Sequence, residues 1–111
     1  MPAAARADGN DRVFSITGAG KDCKFPVQTV TGPGSVEVYI DGQKVVVEGD
    51  EVGDHYAIGC GSLDNSTMTG GSSTVFAGGK RIARIGDNYG PDNIIISGFT
   101  EVFIGGWHSY N

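Results

Sequence analysis

The chain has 111 residues, a net charge of −5 at pH 7, a pI near 4.7, and 19 glycines. This length predicts one domain with a modest core, and the acidic balance excludes a typical nucleic-acid binder, because Lys and Arg bind the phosphates. No apolar run approaches the roughly 18 residues of a membrane-spanning helix. The glycine content is over twice the usual share of about 7%, which favours many tight turns between short strands.

The N-terminal segment MPAAARADGNDR is small and polar. It lacks the apolar centre of a secretory signal peptide, so we expect synthesis in the bacterial cytoplasm without secretory export. In that reducing compartment, metal binding is favoured over a structural disulfide for the two cysteines.

One motif occurs three times along the chain: glycine, three residues, valine, an aromatic residue, two residues and glycine. The copies are GSVEVYIDG from Gly34, GSSTVFAGG from Gly71 and GFTEVFIGG from Gly98. A fixed internal repeat indicates units that must pack against one another to bury their apolar faces.

A second motif follows the first two copies, as GQKVVVEGD ending at Asp50 and GKRIARIGD ending at Asp87. The N-terminal MPAAARAD aligns with GKRIARIG, which places Arg6 on Arg84, with Asp8-Gly9 inverted relative to the Gly-Asp of the other copies. The third unit is therefore divided between the two ends of the chain. Three such units of two short strands predict a small prism with pseudo-threefold symmetry.

In chain order, residues 1–9 are a strand half-unit, and residues 10–31 are a connection in which VFSI from Val13 is a candidate strand. Its TGAGKD segment resembles a phosphate-binding loop but lacks the first glycine and the Ser or Thr after the lysine, so we reject that function. The remaining segments are a strand pair (34–50, turn at Asp41-Gly42), a connection (51–70), a strand pair (71–87, turn at Gly78-Gly79), a connection with the candidate strand NIIIS (88–97), a closing strand (98–106) and a tail (107–111). No window has apolar residues at helical spacing, so the predicted fold class is all-β, with one domain over 1–111.

The two cysteines occupy the same register in two units. Cys23 lies 11 residues before Gly34, and Cys60 lies 11 residues before Gly71. Units that close around an axis bring both thiols near one point, and His55 lies in the same connection as Cys60. Two thiolates and an imidazole suit tetrahedral Zn²⁺, although iron is an alternative.

The fourth ligand is open in the sequence, because the connection 88–97 has neither Cys nor His. Asp92, Asp64 or water could complete the site, and Asp92 is favoured. His108 follows a strand that runs away from the connections, so we place it at the opposite end. The predicted metal is structural, since ligation supplies folding free energy where long connections have little core.

Catalysis has little support in the sequence. No Gly-x-Ser-x-Gly elbow occurs, and neither histidine has a nucleophile and an orienting carboxylate nearby in sequence. Arg6 and Arg84 are interpreted as repeat residues that hold carboxylates such as Asp87 or neighbouring carbonyls.

PAAAR at the N-terminus, RIARIGD at 81–87, and the strands STVFAGG and TEVFIGG together resemble the PAAR-repeat proteins over nearly the whole chain from Met1 to Gly106. The resemblance implies a conical, three-sided β-prism with a zinc ion near its apex. It also implies that one monomer caps a trimeric β-helical spike and sharpens it for piercing the outer membrane of a target cell. By position, His55 and Cys60 match the family's ligand pair, and Cys23 stands where the first connection supplies a ligand.

The leading hypothesis is therefore a structural tip protein and not an enzyme. Without a further domain at either end, the expected location is the virion tail tip of a contractile phage, with a type VI secretion tip next. The alternative is a sugar-binding β-prism that uses Trp107, Tyr110 or Tyr56, and a metalloenzyme with an open coordination position comes third.

Overall fold

The computed structural model describes residues 2–15, 27–53, 66–90 and 93–106. The strands in these residues all pair antiparallel. They are β1 (Ala3–Ala4), β2 (Arg12–Ser15), β3 (Val27–Val30), β4 (Tyr39–Ile40), β5 (Gln43–Lys44), β6 (Phe76–Ala77), β7 (Lys80–Arg81), β8 (Asn88–Tyr89), β9 (Asn93–Ile95) and β10 (Phe99–Phe103). The all-β prediction is confirmed. None of the described residues belongs to a helix long and apolar enough to cross a membrane.

Two hairpins have the turns that the sequence predicts. β4 pairs with β5 through Asp41-Gly42, whose φ angles are 52° and 75°. β6 pairs with β7 through Gly78-Gly79, whose φ angles are 60° and 78°. Two consecutive residues of positive φ match the twist of the flanking strands, which is why Asp-Gly and Gly-Gly are favoured in two-residue turns.

A third hairpin has no covalent turn and is formed by the two ends of the chain. β1 pairs with β10, and Ala3 lies opposite Phe103. The same register relates Lys44 to Tyr39 and Arg81 to Phe76 in the two closed hairpins. The structure thus contains three equivalent hairpins, which we call unit one (34–50), unit two (71–87) and unit three (98–106 with 2–11).

Backbone hydrogen bonds join the three units in a closed triangle. The Ala5 amide donates to the Ala83 carbonyl (3.1 Å), the Ala83 amide to Val46 (2.8 Å), and the Val46 amide to Ala5 (3.2 Å). Because each unit donates to one neighbour and accepts from the other, three residues complete a circuit with pseudo-threefold symmetry.

A second set of bonds repeats this symmetry one step along each segment. The amides of Ala7, Glu48 and Ile85 donate to the carbonyls of Lys44, Arg81 and Ala3, at 2.7, 3.0 and 3.0 Å respectively. The segments 3–7, 44–48 and 81–85 therefore form the three sides of a triangular layer.

This triangular layer separates two apolar clusters, since successive side chains of an extended segment point to opposite faces. Ala4, Val45 and Ile82 belong to a cluster on the hairpin side, together with Val47, Ala77 and Ile104. The intervening Ala5, Val46 and Ala83 belong to a cluster on the other side, with Ala7, Val13, Val52, Met68, Tyr89 and Ile95. We call these two parts the hairpin half and the connection half.

The strands of the hairpin half are shorter than the runs SVEVYI and KVVVE predict. β4 and β5 have two residues each, and the following residues form single bridges, Arg6 with Val45 and Val47 with Ile82. Along each side of the triangular layer, the chain pairs first with the other strand of its own hairpin, then with one neighbouring unit and then with the other. The pairing partner therefore changes every two or so residues, which keeps each strand short.

The first glycine of each repeat lies where the two strands of one unit approach each other closely. A Cβ on Gly34 would lie 2.8 Å from the Lys44 Cβ, and one on Gly71 would lie 2.7 Å from the Arg81 Cβ. A Cβ on Gly98 would lie 2.7 Å from the Ala4 carbonyl oxygen. Side chains are excluded at all three positions, which explains why the motif begins with glycine.

Among the described residues, the connection half has three further antiparallel pairs. β2 pairs with β3, β8 pairs with β9, and Glu51 bridges to Thr67 as the middle pair. A bridge from Thr31 to Val52 joins this middle pair to the pair of β2 and β3. β2 also pairs with β9, and Met68 bridges to Tyr89, so the pairing returns to its starting point. The candidate strands VFSI and NIIIS are both present, as β2 and β9 within the described residues.

Candidate metal centre

The predicted metal ligands Cys23, His55, Cys60 and Asp92 lie outside the described residues, as do Asp64 and His108. The aromatic residues of the alternative sugar site, Tyr56, Trp107 and Tyr110, also lie outside them. The strands from which the ligand-bearing connections leave are among the described residues.

Two of these connections leave from one row of paired residues. Ser15 pairs with Val27 on one side and with Asn93 on the other, and Asn93 pairs with Tyr89. Residues 16–26, which include Cys23, begin and end at the first pair, and residues 91–92 precede Asn93 directly. The sheet therefore brings the attachment points of these two connections together.

The third connection begins and ends beside the same sheet. The Gly53 amide donates to the Val30 carbonyl in β3 (2.9 Å), and the Val52 amide donates to the Ser66 carbonyl (2.8 Å). A Cβ added to Gly90 would lie 3.2 Å from the Ser66 side chain. Residues 54–65, which include His55 and Cys60, are therefore attached to the connection half at Gly53, beside β3, and at Ser66, beside Gly90.

The donor set suits zinc on chemical grounds, because two thiolates and a neutral imidazole are its preferred ligands and a carboxylate can occupy a fourth position. Within the part of the chain that the structure describes, no three His, Cys, Asp or Glu side chains gather closely enough to hold a metal.

The repeat arginine of unit two is fully buried and performs two tasks. The Arg84 Nε donates to the Asp87 carboxylate at 3.2 Å, and both side chains have no exposed area. Its Nη1 donates to the carbonyls of Ile104, Gly105 and Gly106, at 3.2, 3.0 and 2.8 Å. These carbonyls lie at the open end of unit three, where units one and two have a covalent turn, so Arg84 holds the strand end in place.

The repeat arginine of unit three is partly exposed. The Arg6 guanidinium donates to Asp11 at 3.0 Å and lies 5.5 Å from the centre of the Phe99 ring. Its pKa is raised by the hydrogen bond to Asp11 and by the negative charges of Asp11 and Asp41. The prediction that both arginines hold carboxylates agrees with these contacts.

The carboxylate that sequence alignment missed is Asp11. The amides of Val47 and Arg84 donate to Asp50 and Asp87 three residues later, at 3.0 and 2.8 Å. The Arg6 amide donates instead to Asp11, five residues later. The turn at Asp8-Gly9 is longer by two residues, so the inverted pair does not supply the repeat carboxylate; the aspartate two positions further along was the available signal.

A tyrosine occupies the centre of the connection half. Tyr89 is completely buried, and its hydroxyl has no hydrogen-bond partner among the described residues. Burial raises its pKa above the ordinary value, and the negative charges of Asp50 and Asp11 raise it further.

These features define a class: in its described residues, an all-β protein of three hairpin units closed around a pseudo-threefold axis. The family model of the PAAR motif matches residues 22–90, which is more than half of the chain. The chain belongs to the PAAR motif family. No curated protein and no solved structure matches it significantly.

Membership of this family carries a fold and a general function. PAAR motif proteins form a conical β-prism and act as structural tips that sharpen the spike of a type VI secretion machine or a contractile phage. They cap trimeric spikes and are not enzymes. The family commonly binds zinc.

Proposed function

We propose that this chain is a single PAAR-like domain that caps the trimeric β-helical spike of a contractile phage baseplate, one monomer per trimer, and carries a structural zinc ion at its apex. The family match over 22–90 is the observation that carries this proposal. The type VI secretion spike is the alternative assembly. In either machine the tip would meet the outer membrane of the target cell first.

The closed triangle of hydrogen bonds supports a capping role. A single chain has no exact threefold symmetry, yet Ala5, Val46 and Ala83 occupy equivalent positions around one axis. A monomer with three similar sides can meet three identical chains in the same way. This resolves the mismatch between one tip and a trimeric spike.

The proposed zinc ligands are Cys23, His55 and Cys60, with Asp92 as the fourth. Support comes from the matched register of the cysteines and from the sheet that holds the ends of these connections together. Bound zinc would link the three connections and so stiffen the end that leads during piercing. Iron is the alternative metal.

Metal analysis tests the site. Purified protein should contain about one zinc per chain, and Cys60→Ser should lose the metal and melt at a clearly lower temperature, because a structural metal supplies folding free energy. Ser62→Ala, in the same connection, is the matched control and should keep both. Asp92→Asn and Asp64→Asn separate the two candidate carboxylates.

A wild-type protein without metal, or a Cys60→Ser variant with an unchanged melting curve, would contradict the zinc proposal. The capping role is tested separately, by mixing the protein with a recombinant C-terminal β-helical fragment of the spike trimer from the same gene cluster and weighing the complex by light scattering. One chain per trimer is expected. Electron microscopy of assembled particles then distinguishes a phage tail from a secretion machine.

A further inference from the structure

The hairpin half exposes one aromatic side chain from each unit. Tyr39, Phe76 and Phe103 are 54%, 53% and 52% exposed, although most aromatic residues of a small domain contribute to its core. We call these three residues the aromatic triad. Their exposures differ by only two percentage points.

The members of the triad occupy one level of the structure. Their strand partners are Lys44, Arg81 and Ala3. The carbonyls of these partners accept the second set of hydrogen bonds in the triangular layer. Three aromatic rings therefore lie at the same height, one on each side of the pseudo-threefold axis.

Folding does not explain why this position is aromatic. The next residue in each unit, Ile40, Ala77 or Ile104, points inward and packs in the cluster of the hairpin half. At another exposed position, two residues before the triad, the side chains are Glu37, Thr74 and Glu101, so the outer surface of these strands accepts polar residues. A half-exposed aromatic ring retained in all three units points to a partner that meets all three.

We propose that the aromatic triad is the surface that docks on the trimeric spike, with one ring against each of its three identical chains. This inference rests on the proposed function and adds the contact residues. Each ring leaves roughly 100 Å² exposed, so the triad offers roughly 300 Å², set against the about 800 Å² per partner of a standard interface. Aromatic residues are the usual anchors of such interfaces.

The position of the triad leaves the proposed apex free. All three rings belong to the hairpin half, whereas residues 16–26, 54–65 and 91–92 leave from the connection half on the far side of the triangular layer. A spike bound at the hairpins thus meets the half of the protein from which the ligand-bearing connections do not leave. Docking and metal binding can be altered independently.

The test measures binding of the full chain to the recombinant spike trimer. Tyr39→Ala, Phe76→Ala and Phe103→Ala should each weaken binding about tenfold or more, by similar factors, because the three contacts are equivalent. The triple variant should not bind at micromolar concentrations. The double variant Val30→Ala with Ile96→Ala removes exposed apolar side chains outside the triad (42% and 41% exposed) and should bind like the wild type.

The outcomes separate this inference from the proposed function. A wild-type protein that does not bind the trimer would contradict the capping role itself and, with it, the triad as a spike contact. Wild-type binding with equal binding by the triple variant would overturn the triad alone, as would one position carrying the whole effect. Self-association that the triple variant abolishes, without trimer binding, would identify a second copy as the occupant and overturn the inference.

Folding is controlled within the same series. Each variant is melted by circular dichroism, and a triple variant that does not fold is replaced by Phe76→Lys, which places a charge at an exposed site. The swap Tyr39→Phe with Phe76→Tyr keeps the rings and should retain binding. Loss of binding in this swap would show that binding depends on the position of one hydroxyl group and would overturn a contact made by three equivalent rings.

Discussion

The hairpin half and the connection half share a threefold arrangement but differ in whether their sequences repeat. Each consists of three antiparallel pairs around one axis. In the hairpin half the two covalent turns have one length, the three hairpins share one register, and the motifs repeat visibly. In the connection half the segment between paired strands has three residues from β8 to β9 (90–92) and eleven from β2 to β3 (16–26), and no motif repeats. The threefold arrangement of antiparallel pairs therefore does not by itself require a repeated sequence.

The largest expected loss of stability comes from a substitution at the open hairpin of unit three. Arg84→Met should lower the free energy of unfolding by about 3–5 kcal/mol, because removing one member of a buried ion pair leaves the other charge without compensation. It also leaves the carbonyls of Ile104, Gly105 and Gly106 without their donor. The measurement is thermal or urea unfolding, with a drop in Tm of roughly 15–30 °C.

Arg6→Met is the matched control, because Arg6 holds the equivalent position in unit three. Its side chain is 23% exposed, and the buried Asp11 keeps the Arg6 amide and the Ser97 hydroxyl as donors, so the expected loss is smaller, about 1–3 kcal/mol. Equal losses in the two variants would refute the assignment of a special role to Arg84 at the open hairpin.

The second prediction concerns circular permutants, in which the chain ends are moved from unit three to another unit. Joining Gly106 to Pro2 restores a two-residue turn at Gly105-Gly106, and the circle is then opened at Gly78-Gly79 or at Asp41-Gly42. Val47 has no side-chain donor and bridges to Ile82 in unit two, which contains the first opening. Arg6 bridges to Val45 in unit one, where the negative charge of Asp41 lies at the second opening. The permutant opened at Gly78-Gly79 should be less stable by about 1.5–3 kcal/mol, the contribution of a charged hydrogen bond.

A substitution that supplies the missing arginine tests the difference between the two permutants. Adding Val47→Arg to the permutant opened at Gly78-Gly79 should recover part of the difference, and the same change in the other permutant should not. Equal unfolding midpoints for the two permutants would show that the arginine does not compensate for a missing turn.

The repeat made most of the hairpin half predictable. The glycines, the two turn pairs and the alignment of Arg6 with Arg84 depend on local steric and register rules, which a sequence carries directly. The alignment failed at Asp8-Gly9, because the turn there is longer and Asp11 supplies the carboxylate. Strand length was also overestimated, since propensity does not show that each segment changes partner at the corners of a triangle.

The connection half was predictable only in fragments. The apolar runs of β2 and β9 indicated strands, but nothing local indicated that Ser15 would lie between Val27 and Asn93. Such pairing depends on contacts distant in sequence, which periodicity does not encode. The ligand set Cys23, His55 and Cys60 stays a prediction from register and from the family.

The smallest effect concerns the core of the connection half, and it is a dependence on pH. Tyr89 is buried with a raised pKa. Above pH 10 or so the tyrosine of the unfolded chain loses its proton while the folded one keeps it. The folded state then binds more protons, so stability falls as pH rises, by up to about 1.4 kcal/mol per pH unit. Below that pH this contribution is constant.

Tyr89→Phe should remove this alkaline loss, so that its stability relative to the wild type rises between pH 10 and pH 11.5, as measured by urea unfolding. Near pH 7 the variant should be as stable as the wild type or more stable by up to about 1 kcal/mol, because the hydroxyl lies in an apolar cluster without a partner among the described residues. Tyr39→Phe, at an exposed tyrosine, should keep the wild-type slope. If Tyr89→Phe instead lost 2 kcal/mol or more at pH 7, the hydroxyl would be an acceptor or donor to a connection, and the core of this half would contain a buried polar contact, as the hairpin half does at Arg84 and Asp87.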